Sequence, residues 1–63
     1  MKVREVIALL EEDGWYLDRT RGSHRQLKHP RKRGLVTVPG KLNKDLHPKT
    51  LASILSQAQL EKP

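Results

Sequence analysis

Histidine is the one side-chain type that exchanges a proton near neutral pH, and this 63-residue chain has three, at positions 24, 29 and 47. His24 follows the flexible pair Gly22-Ser23. It stands inside a run of cations, Arg19, Arg21, Arg25, Lys28, Arg31, Lys32 and Arg33, with no carboxylate between residues 19 and 33. Internal cleavage of RNA needs a base to take the proton of a 2′-OH and an acid to protonate the departing 5′-oxygen. It also needs positive charge to stabilise the phosphorane that develops. His24 can fill the first or the second role, and Arg25, Lys28 and the Arg31 to Arg33 segment can supply the charge. The spacing is not diagnostic of this chemistry by itself, because an isolated surface histidine usually has no catalytic part.

Charge points the same way. Thirteen Lys and Arg oppose seven Asp and Glu, a formal net charge of +6 on a very small body, and the sign favours polyanions. More than half of the positive charge lies between residues 19 and 33, where the plain alternative is a solvated basic loop that keeps the chain in solution. Other chemistries fit worse. A zinc site would have to draw on His24, His29, His47 and Asp45, with no cysteine and no paired-histidine helical motif. Adjacent Ser23 and His24 would point to opposite faces of an extended strand, which defeats a triad with Asp18 or Asp45. No glycine-rich phosphate loop is present. His29, before Pro30, reads as a structural residue at a strand end, and His47 reads as a helix cap. No cofactor is implied.

The elements that position these residues follow from periodicity. Val3, Val6, Ile7 and Leu10 form one apolar helical stripe, and the helix should stop at Gly14 with Trp15 packing back on Leu10. Charges at both ends of this helix oppose its dipole: Lys2 and Arg4 near the start, and Glu11, Glu12 and Asp13 near the stop. From Trp15 the period becomes two, with Trp15 and Leu17 alternating against Tyr16 and Asp18, and this strand should end in the turn Thr20-Arg21-Gly22-Ser23. A second strand runs from His24 to Lys28 or His29 and ends at Pro30. Its one clearly apolar residue, Leu27, should face the core, leaving His24, Gln26 and Lys28 on the opposite, solvent-facing side. Residues 31–34 form a charged hairpin loop, Leu35 to Val38 a third strand, and Pro39-Gly40 its end. Pro48 suits the first position of a second helix, capped by His47 and stapled by Leu46 to Leu51, with Leu51, Ile54, Leu55 and Ala58 as its apolar stripe. The expected fold is α+β in the order αβββα: a three-stranded antiparallel sheet with both helices on one face and the other face open. A single domain spanning residues 1–63 is expected, because so short a chain cannot bury two cores. Glu61-Lys62-Pro63 reads as a loose tail. The absence of cysteine, of a signal-peptide pattern and of a long apolar run leads to the expectation of a soluble cytoplasmic protein with no membrane partner.

Taken together, Gly14-Trp15, Arg19, Gly22-Ser23-His24, Leu27 and His29-Pro30 resemble the signature of the HicA toxin (YcfA-like) family. So do Val36-Thr37-Val38-Pro39-Gly40, Lys44-Asp45-Leu46 and Thr50-Leu51-Ala52-Ser53-Ile54-Leu55, in the family's order and over nearly the whole chain. The resemblance implies a double-stranded-RNA-binding-domain-like fold, metal-independent mRNA cleavage with His24 as the catalytic histidine, and neutralisation by a HicB-type antitoxin. On this reading Arg19, Arg21, Ser23, Arg25, Lys28, Arg31, Lys32 and Arg33 are the candidate RNA contacts. The sequence departs from the family at Gln59, where glycine is frequent near the end of the second helix, and in the arginine-rich loop. The alternative is a non-catalytic RNA-binding module on the same fold. A DNA-binding or purely protein-binding domain fits less well, since neither helix shows a base-reading face.

Overall fold

Apolar residues spaced three and four apart wind the first segment into α1 (Val3–Glu12), which buries Val3, Val6 and Leu10. The computed structural model describes residues 1–60; the tail expected at 61–63 lies outside them. After α1 come β1 (Tyr16–Arg21), β2 (His24–Lys28), β3 (Val36–Val38) and α2 (Pro48–Gln57), the αβββα order expected. Both helices end in the same left-handed cap. At α1, Gly14 (φ 107°) donates to Glu11 O and Trp15 to Leu10 O, each at 3.0 Å. At α2, Gln59 (φ 57°) donates to Ser56 O at 3.0 Å and Leu60 to Leu55 O at 2.9 Å, so a glutamine occupies the conformation that glycine adopts without strain. Gly14 has a second constraint: a Cβ there would lie 2.8 Å from His29 Nε2.

The sheet is antiparallel throughout, in the order β1-β2-β3. Leu27 pairs with Val36, and paired residues share a face. Both join Val38, Trp15, α1 and the Ile54 and Ala58 side chains of α2 in one buried cluster, so the two helices cover the same side of the sheet. The structure corrects three expectations. Leu17 pairs with Leu27 but is 53% exposed: β1, unlike the other edge strand β3, contributes nothing to the core. The first hairpin is tighter than expected: β1 continues to Arg21, and the loop is only Gly22-Ser23, with Gly22 at φ 58°. Leu35 lies outside β3 and is exposed.

The charges that oppose the α1 dipole have a tertiary answer. Glu5 accepts from Lys2 N at 2.7 Å, while Val3 N and Arg4 N donate to Lys44 O and Leu42 O in the loop before α2. At the other end neither helix carries a basic residue in its last turn, and Lys32 supplies the charge to both. Its ammonium donates to Asp13 Oδ2 (2.6 Å), beside the α1 terminus, and to Ala58 O (3.1 Å) and Gln59 O (3.4 Å) at the α2 terminus. His29 completes the clamp. Nearly buried at 8% side-chain exposure and edge-on to Trp15, it donates from Nε2 to Asp13 O (2.7 Å), while Nδ1 accepts from Arg31 N and Lys32 N at 3.0 Å each. Those contacts define its tautomer. Among the described residues no helix is long and apolar enough to cross a membrane.

Candidate functional site

The first pair of the β1–β2 hairpin is Arg21 and His24, which places the exposed imidazole at the mouth of a two-residue turn with an arginine opposite. Strand parity then sorts β2. Arg25 pairs with the buried Val38 and Leu27 with Val36, so both lie on the helix side, and His24, Gln26 and Lys28 lie on the open side. An irregularity in β1 decides the rest. Leu17 pairs with Leu27, but the next pair is Arg19 with Gln26, so Asp18 is the extra residue of a β-bulge. In an unbroken ladder Arg19 and Arg21 would keep the parity of Leu17 and face the helices. The bulge turns both towards the face that carries His24. Asp18 itself holds Arg19 Nε at 3.2 Å and lies 3.8 Å from Lys28 Nζ, so one carboxylate borders this basic group.

The structure thus gathers His24, Arg19, Arg21 and Lys28 on one open face and places the other sequence candidates elsewhere. Arg25 is half-buried and donates from Nη1 to Gly40 O at 2.7 Å. Ser23 sits in the hairpin turn, where its carbonyl accepts from Gly40 N at 3.1 Å. Arg31 and Arg33 are exposed but lie beyond the far end of β2, about 14 Å of strand from His24 at roughly 3.4 Å per residue, and so stand apart from the group around His24. Lys32 is the helix clamp already described. The charge available at His24 therefore comes from Arg21, Arg19 and Lys28, rather than from Arg25 and the 31–33 loop.

The remaining histidines are occupied structurally: His29 in the clamp, and His47 as the α2 cap, where Nδ1 accepts from Lys49 N at 3.1 Å. The Asp13 carboxyl is held below the usual carboxylate range, chiefly by its hydrogen bond from Lys32; partial burial opposes this and the ammonium charge adds to it. Among the described residues no three His, Asp or Glu side chains converge where they could ligate a metal. The bulge and the clamp are the features sequence reasoning missed. Asp18 keeps the alternation of the segment before it, so no residue type there signals the bulge.

A protein-family model described as the HicA toxin of bacterial toxin-antitoxin matches residues 3–60. No curated protein matches the chain.

Proposed function

This chain belongs to the HicA toxin family and is thereby a toxin of the toxin–antitoxin kind, and from that premise we propose that it cleaves messenger RNA internally, without a metal, using His24. The observation that carries the reading is the open sheet face, where His24 lies on the same side as Arg19, Arg21 and Lys28. In the proposed step the 2′-oxygen of one ribose attacks the adjacent phosphorus, the bond to the 5′-oxygen breaks, and the products are a 2′,3′-cyclic phosphate and a free 5′-hydroxyl. His24 takes the 2′ proton or delivers one to the leaving 5′-oxygen, and the guanidinium of Arg21, paired directly opposite, bears the extra charge of the phosphorane. Arg19, Lys28, Arg31 and Arg33 hold the backbone on either side.

The inhibitory partner is a HicB-type antitoxin that covers this basic face with acidic or aromatic side chains, since masking the substrate surface silences so small an enzyme. The second reading, RNA binding without chemistry, draws on the fact that no second histidine stands on this face. Multiple-turnover assays on a 5′-labelled RNA in EDTA separate the two: cleavage by the parent chain and none by His24→Ala supports the proposal. Binding by both without cleavage by either supports the module.

A further inference from the structure

A cleft of about 400 Å³ opens between the tip of the β1–β2 hairpin, the Pro39-Gly40 corner and the starts of the two helices. It plays no part in the step proposed above, yet it is tied to both chain neighbours of His24. Gly40 forms part of its wall. The N–H of Gly40 donates to Ser23 O (3.1 Å), and its carbonyl accepts from Arg25 (2.7 Å), so the wall is fastened to the residues on either side of the imidazole. Ser23 itself lines the cleft, one Cα step of about 3.8 Å from His24.

The lining selects the kind of group that fits. Pro39 and Leu46, each partly exposed, give the cleft an apolar wall. The hydroxyls of Ser23 and Thr50, the Asp45 carboxylate and the Lys44 ammonium offer both acceptors and donors around it. A phosphate would meet the carboxylate of Asp45. A flat, uncharged ring with donors and acceptors on its edge meets apolar surface on its faces and polar partners at its rim, and the volume lies at the small end of the roughly 300–1,000 Å³ range of ligand sites. His24 faces the open side of the sheet, whereas the cleft is walled partly by the helices. A chain occupying both must bend around the hairpin tip, which a single strand can do and a stiff duplex cannot.

We propose that this cleft is a nucleobase subsite: it takes one unstacked base of a single-stranded RNA, next to the phosphate held at His24, and sets which sequences are cut. The proposal rests on the RNA-cleaving reading above for its effect on cutting, but base binding can be read without it. ¹⁵N-labelled protein titrated with the four nucleoside 5′-monophosphates should show amide shifts at Gly40, Lys44, Asp45 and Thr50 that differ among bases. Ribose 5-phosphate should not reproduce them, and Thr50→Leu, which fills the cleft, should remove them. On a mixed-sequence RNA, Asp45→Asn and Thr50→Leu should reduce the preference among cleavage sites by about fivefold to tenfold, the size of one lost hydrogen bond. Should Thr50→Leu fail to fold by circular dichroism, Asp45→Asn, at an exposed position, carries the test. Equal shifts with ribose 5-phosphate, or an unchanged site preference in folded variants, would overturn the subsite. Base-dependent shifts at the cleft in a chain that cuts no RNA would leave the subsite standing and remove the cleavage reading instead.

Discussion

Replacing Lys32 by methionine separates the structural role found for this residue from the phosphate contact its sequence context suggests. The methionine keeps most of the stem and removes the ammonium, which donates to two carbonyls at the end of α2 and to Asp13 at the end of α1. A cation at a helix C-terminus contributes about 0.3–1 kcal/mol. Serving two termini, Lys32 therefore contributes about 0.6–2 kcal/mol, before any loss from carbonyls left without a partner. In a domain of this size roughly 1 kcal/mol moves Tm by about 8 °C, so Lys32→Met should melt about 5–16 °C below the parent. The pH dependence has a definite sign. Because the folded carboxyl of Asp13 lies below its unfolded value, its contribution is complete above about pH 4 and is lost as pH falls through the lowered folded value. The Tm gap between parent and variant should accordingly narrow in acid. Calorimetry from pH 7 down to pH 2 measures both effects. A variant as stable as the parent, with a flatter salt dependence of RNA binding, would refute the clamp and return Lys32 to the RNA surface.

Three further outcomes follow. Arg31→Ala combined with Arg33→Ala should flatten the slope of log K against log salt by about 1.4 on single-stranded RNA, as two phosphate contacts at roughly 0.7 each require, with little change in Tm. Fluorescence anisotropy across a salt series reads that slope. Gln59→Gly should raise stability by about 1 kcal/mol in chemical denaturation, because glycine adopts the left-handed cap at φ 57° without the side-chain penalty. An antitoxin and RNA should compete for the sheet face, so simultaneous tight binding of both without mutual weakening would contradict the proposed masking.

What the sequence made legible is largely what local chemistry decides. Gly14 and Trp15 specify the α1 cap, and His47-Pro48 the start of α2, because each motif satisfies backbone groups within a few residues of itself. Leu27 alone orients β2, since a strand with one apolar residue has one way to face a core. The misreadings arose where the answer lies in another part of the chain. Leu17 keeps the alternating pattern of a core strand, but the core is filled from β2, β3 and the helices, which leaves β1 outside it. Lys32 and Arg25 are two cations among many by composition, and only the fold brings the one to two helix ends and the other to the Gly40 carbonyl. The bulge at Asp18 reverses the facing of Arg19 and Arg21 without any glycine or proline to announce it.

The central claim is that a solvent-facing imidazole cuts RNA without a metal, and the most direct measurement is the rate of RNA cleavage by the parent and by His24→Ala in EDTA. His24→Ala should lose a factor of about 10² to 10⁴, or more where the one imidazole serves as both base and acid. Its melting should stay within about 0.5 kcal/mol of the parent, because an exposed side chain at a strand end packs against little, and RNA affinity should persist through the arginines and lysines. His29→Ala and His47→Ala, which remove structural contacts, should lower stability more than the rate of the folded protein. A His24→Ala protein that is folded, free of contaminating nuclease and still cleaving at the parent rate would contradict the account.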